Sequence, residues 1–167
     1  MAKLNIAETG LESFGLRTIY GVDRALDETA FRQIVSKCSN LKNFVFNGLD
    51  FAFSQNEEAG DSLLGLARQI LDNCSESLKS MDLSPVMKVK CPDVAYEFLK
   101  DTLSLEMEQL ECLSLSRNQS LPEEKLKELI QIVGQASYFS QLKELSLPII
   151  EGASDELVQS ILDFFTN

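Results

Sequence analysis

The hexamer L-x-x-L-x-L recurs along the chain and limits the fold more tightly than any other feature. Clear copies stand at Leu41-Lys-Asn-Phe44-Val-Phe46, Leu78-Lys-Ser-Met81-Asp-Leu83, Leu110-Glu-Cys-Leu113-Ser-Leu115 and Leu142-Lys-Glu-Leu145-Ser-Leu147. A weaker copy is Leu11-Glu-Ser-Phe14-Gly-Leu16, and the first positions are separated by 30, 37, 32 and 32 residues. Near-constant spacing signals stacked units, because one unit of this length cannot bury its own apolar side chains.

Each hexamer is followed by a segment whose apolar residues fall three and four apart, the spacing of one helix face. The stripes are Phe31/Ile34/Val35/Cys38, Leu63/Leu66/Ala67/Ile70/Cys74, Ala95/Phe98/Leu99/Leu103, Leu126/Leu129/Ile130/Val133 and Val158/Ile161/Leu162/Phe165. Helix starts are marked as well. Pro92 with Asp93, and Pro122 with Glu123 and Glu124, place a residue lacking an N–H and then carboxylates at the positive end of a helix dipole. Ser154 before Asp155 and Glu156 reads as an N-cap.

Side-chain direction turns this pattern into an architecture. In a short strand alternate side chains point to opposite faces, so the fourth and sixth hexamer positions turn inward together. The first Leu and the helix stripe close the same core. Stacked units then pair their strands in parallel on one side and line the other with helices.

Strand-plus-helix periods of about thirty residues with L-x-x-L-x-L at each strand resemble the leucine-rich repeat proteins of the ribonuclease-inhibitor-like class, over residues 11–167. The resemblance implies an α/β fold: a solenoid bent into a horseshoe arc of about five repeats, beginning near residues 11, 41, 78, 110 and 142. Parallel strands would line its concave face and helices its convex face. Residues 1–10 form an N-terminal segment, a cap or an extra strand. The first register has alternatives, since Met1/Leu4/Ile6 also fits the hexamer and Leu16/Ile19 offers another strand. Departures from the family pattern lie in the turns, where the characteristic Asn occurs only as Asn118.

In such a fold the concave face is the expected binding surface, and the hexamer positions name its residues. The second repeat contributes Asn43, Val45 and Asn47, and the third contributes Lys79, Asp82 and Ser84. Ser114, Ser116 and Arg117 come from the fourth, Glu144 and Ser146 from the fifth. The seventh position is taken as outward in every repeat, which adds Pro148. This surface is small, polar and close to neutral, with Lys42, Lys79, Arg117 and Lys143 balancing Asp82, Glu111 and Glu144. It suits broad hydrogen bonding better than an apolar small-molecule pocket.

Composition removes other classes. The 167 residues carry a formal net charge of -11, so phosphate backbones and anionic lipid are repelled and neither nucleic acid nor a membrane is the expected partner. The excess acid falls on helices and turns and reads as a solubilising outer face. Histidine is absent, which removes Ser-His and Cys-His nucleophile pairs and His-based zinc sites. Gly60-Asp-Ser-Leu-Leu-Gly65 lacks the Lys-Ser/Thr ending of a phosphate loop and lies in a helical stripe. Cys38, Cys74, Cys91 and Cys112 form no CxxC pair and read as reduced packing thiols.

The expectation is therefore a non-catalytic protein-protein interaction module without cofactor or metal, acting as adaptor, inhibitor or secreted effector. With no signal peptide or membrane span, its expected place is the cytoplasm, with delivery into another cell left open. The alternative is a structural or assembly role, or a fragment of a larger repeat protein. The last stripe ends at Phe164 and Phe165 with no polar cap, which leaves an open solenoid end for end-to-end self-association or docking.

Overall fold

The hexamers become strands. In the computed structural model, which describes residues 12–17, 33, 37–47, 57–84, 92–116, 121–148 and 153–166, β1 is Ser13–Arg17 and β2 Asn43–Asn47. β3 is Ser80–Asp82, β4 Cys112–Ser114 and β5 Glu144–Ser146. They form one five-stranded parallel sheet in the order β1-β2-β3-β4-β5. Four helices accompany it among the described residues: α1 (Glu57–Cys74), α2 (Pro92–Leu103), α3 (Glu123–Gln135) and α4 (Asp155–Thr166). A 3-10 turn, Phe139–Gln141, precedes β5. The fold class is mixed α/β with a parallel sheet.

Register in this sheet follows the sequence spacing. Ser13 pairs with Asn43, Asn43 with Ser80, Ser80 with Cys112 and Cys112 with Glu144, so every third hexamer position lies beside the next. β1 thus takes the register of Leu11-Glu-Ser-Phe14-Gly-Leu16. One hydrogen-bond motif recurs at each junction. The carbonyl of the second position accepts two N–H groups of the next copy: Glu12 from Lys42 and Asn43, Lys42 from Lys79 and Ser80, Lys79 from Glu111 and Cys112, Glu111 from Lys143 and Glu144.

Alternation then decides burial. Phe44, Phe46, Met81, Leu83, Leu113 and Leu115, at the fourth and sixth positions, are all buried, as are Leu41, Leu78 and Leu110 at the first. β2 carries aromatic rings at both inward positions: Phe44 stacks near Phe46 at 6.1 Å, and Phe46 meets Phe98 of α2 at 5.7 Å. Buried Cys38 and Cys74 belong to the same cluster, and no disulfide joins Cys38, Cys74 or Cys112. Burial pushes the Cys74 thiol up to about 12 and raises Cys38 as well.

Helix faces match the expected stripes in part. All four α3 residues, Leu126, Leu129, Ile130 and Val133, are buried, as are Phe98, Leu99 and Leu103 of α2. In α1 the buried face includes Leu64 and Leu71 besides Ala67, Ile70 and Cys74. The last stripe needs correction. Leu157 is buried and Ile161 half-buried, whereas Val158 and Leu162 are 47% and 53% exposed. Apolar doublets at 157–158 and 161–162 make a stripe wider than α3, the helix that packs on α4 among the described residues, covers. Phe31, Ile34 and Val35 of the first stripe lie outside the described residues.

Helix entry follows the cap chemistry. α2 begins at Pro92 with Asp93 in its first turn, and Pro122 occupies the N-cap position of α3, its carbonyl accepting the Leu126 N–H. The Ser154 hydroxyl accepts the Leu157 N–H at 3.2 Å, which caps α4. That hydroxyl also donates to the Glu123 carboxylate, tying the start of α4 to the start of α3. Gly60 and Gly65 lie within α1.

Candidate functional site

The side of the sheet opposite the core is built from two rows of side chains. The third positions give Ser13, Asn43, Ser80, Cys112 and Glu144, and the fifth give Gly15, Val45, Asp82, Ser114 and Ser146. Asn43, Glu144 and Ser146 are exposed, and Val45, Asp82 and Ser114 half-buried. Parallel pairing brings these candidate residues onto one surface. The β2 strand also holds Asn47, in register with Arg17. Arg117 lies outside the described residues.

The second positions form a charged rim along the strand starts. Lys42 Nζ donates to Glu12 Oε1 at 2.7 Å, and Lys143 Nζ pairs with Glu111 Oε2 at 2.9 Å. Exposed Lys79 stands between the two pairs. The hydrogen bond from Lys42 holds the Glu12 carboxyl below its ordinary range. Lys143 does the same for Glu111, with a smaller effect from Lys79. Such exposed pairs fix side-chain positions more than they stabilise the fold. Summed along the sequence these charges nearly cancel, which leaves their pairing open. The available signal was opposite charge at the same hexamer position one period apart.

Hydroxyls close the other end of the surface. The Oγ atoms of Ser84, Ser114 and Ser116 form a triangle with sides of 2.9, 2.8 and 3.0 Å. Each hydroxyl can give one hydrogen bond and accept another, so a three-membered ring satisfies all three. The Ser84 N–H also donates to Asp82 Oδ1 at 2.9 Å. Ser84 is consequently 5% exposed, which corrects its expected outward placement, and Pro148 at the same hexamer position is buried too. Strand geometry ends at Asp82 and Ser146. The ladder runs one residue further, Leu83 and Leu115 donating to the Ser114 and Ser146 carbonyls, and past that point alternation no longer sets the direction of a side chain.

Asn43 Nδ2 donates to Ser13 Oγ at 3.0 Å, linking adjacent third positions as the serines link fifth and seventh ones. Cys112 faces this surface half-buried. Burial first, then the Glu144 and Glu111 carboxylates, pushes its thiol up, so it stays protonated at neutral pH and is a weak nucleophile. The surface offers hydrogen-bond donors and acceptors, one rim of paired charges and little apolar area.

Among the described residues no group of three or more His, Cys, Asp or Glu side chains is placed to hold a metal ion, and no helix is long and apolar enough to cross a membrane. No family model, curated protein or solved structure matches the chain.

Proposed function

We propose that the chain is a leucine-rich-repeat solenoid of about five repeats, similar to the ribonuclease-inhibitor-like class, and that it binds another protein through the exposed side of its sheet without catalysing a reaction. One observation carries the reading. The third and fifth hexamer positions stand side by side from strand to strand in strict register, so Asn43, Val45, Asp82, Ser114, Glu144 and Ser146 belong to one surface rather than to scattered loops. A preordered surface of this kind loses little conformational freedom on binding, which favours recognition of a macromolecule over enclosure of a small one. Paired rim charges and the hydroxyl triangle fix the donors and acceptors that a partner would read.

Affinity capture with the wild-type chain and with an Asp82→Lys/Arg117→Glu/Glu144→Lys variant tests this. The variant keeps the core and reverses charge on the surface. Loss of the principal partner supports the reading, and identical partner lists overturn it.

A further inference from the structure

The exposed side of the sheet carries three charges that no ion pair answers. Lys42 and Lys143 on the rim, and Arg68, Lys100, Lys125 and Lys127 on the helices, all stand in pairs with carboxylates. Exposed Lys79 does not, nor does Lys37, although acidic side chains outnumber basic ones by 26 to 15. The neighbours of Lys79 explain this. In the row of second positions Lys42 is turned to Glu12, and the Glu111 carboxylate to Lys143. Lys79 thus has a like charge on one side and an engaged carboxylate on the other.

Two carboxylates of the same surface lack a cation among the described residues. Asp82 is half-buried at the end of β3, the middle strand, and its Oδ1 accepts the Ser84 N–H at 2.9 Å. Glu144 is exposed on β5, in register with Cys112. Position orders the three charges. Lys79 and Asp82 are three residues apart, about 10 Å along a strand, and Glu144 lies two strands across from Ser80, about 10 Å to the side. The strand starts therefore present a free cation and the interior of the face free carboxylates. Covering an unpaired charge costs more than an exposed pair gains, and half-buried Asp82 is where that cost is greatest. A partner of uniform charge would gain at one end of this face and lose at the other.

We infer that the partner of the sheet face is a protein segment carrying both signs, with an Asp or Glu that meets Lys79 at the strand starts and a Lys or Arg about 10 Å deeper that meets Asp82 and Glu144; this rests on the proposed role of that face in protein binding. The spacing matches side chains two to four residues apart on one side of an extended segment. Charge order also fixes the direction in which the segment lies along β3. Reversed, it would set like charges together at both ends.

Selection from a random twelve-residue peptide library displayed on phage, with the full chain as bait, tests this, followed by fluorescence anisotropy of the selected peptides. Enriched sequences should place an acidic and a basic residue two to four positions apart. Lys79→Glu should weaken binding about three- to tenfold, and exchanging the peptide's acid for Lys should restore it. Asp82→Asn/Glu144→Gln, which keeps an acceptor for the Ser84 N–H, should weaken it severalfold. Rescue by charge exchange cannot arise from misfolding, and loss without rescue overturns the inference. Peptides that fail to bind Asn43→Trp/Ser146→Trp, a steric block on the same face, yet ignore the charge variants overturn the two-sign partner and leave the face as a binding surface. Enrichment of one sign alone does the same. Peptides that ignore the block as well, or an empty selection, overturn the binding role of the face and this inference together.

Discussion

The Tyr138 hydroxyl donates to the Leu103 carbonyl at 2.8 Å across 35 residues of sequence, inside the core. Leu103 ends α2, and its carbonyl is one of those a helix C-terminus leaves without an intrahelical partner. Tyr138 is fully buried, and burial pushes its hydroxyl pKa well above the ordinary range. One period thereby caps the helix of the period before it. Tyr138→Phe keeps the ring and strands the carbonyl, so it should destabilise the chain by about 1–3 kcal/mol, or roughly 2–4 °C in Tm per kcal/mol. Urea unfolding checks this, and a change below about 0.5 kcal/mol would show that water reaches the carbonyl.

The hydroxyl triangle predicts unequal consequences for three chemically identical substitutions. Ser84 is the buried corner, so Ser84→Ala removes two hydrogen bonds and should cost about 1 kcal/mol. Ser114 and Ser116 are half-buried and reach water, so each alanine substitution there should cost less. A double-mutant cycle between Ser84 and Ser114 should show coupling above about 0.5 kcal/mol. Additive effects would mean that the hydroxyls act independently.

Stability should fall on both sides of a plateau between about pH 4.5 and 9. Glu12, Glu111 and Glu128 are held below the ordinary carboxylate value of 4.5 chiefly by hydrogen bonds from Lys42, Lys143 and Lys100, and Glu123 by that from Ser154. A depressed folded-state pKa gives stability that is present above 4.5 and lost as pH falls through the folded values. Cys74 works in the opposite direction. The unfolded thiol releases its proton from about 9.0, while the folded one holds it to about 12, so its contribution is present below 9 and lost as pH rises across that window. Urea midpoints measured against pH for wild type and Cys74→Ala isolate this limb. An unchanged alkaline slope in the variant would assign the loss to other groups.

How far these features were legible in the sequence depends on what decides them. Strand positions and pairing were readable because the hexamer supplies both the period and the inward side: Phe44, Met81 and Leu113 are buried as alternation requires. The cap at Ser154 was readable because capping is local. Ser84 and Pro148 were not, since each follows the last strand residue and is turned by contacts that the alternation rule does not contain. The helix stripes failed where apolar residues come in doublets. Ile70 and Leu71 are both buried, whereas of Leu157 and Val158 only the first is. Which member of a doublet is covered depends on the neighbouring helix, and spacing along one segment carries no record of it.

The same dependence on a neighbour gives a sharp comparison within this one chain. Ile130 and Leu162 hold equivalent places in α3 and α4, and Leu126 and Val158 do likewise. The first member of each pair is enclosed by Leu157, Leu147, Ala153 and Ile161. Ile130→Ala should therefore empty a closed space and cost about 2–5 kcal/mol. Leu162→Ala removes a comparable hydrocarbon side chain from a site 53% exposed, where water already touches it, and should stay within about 0.5 kcal/mol. Equal losses in urea unfolding would mean that α4 is covered in solution without any added partner.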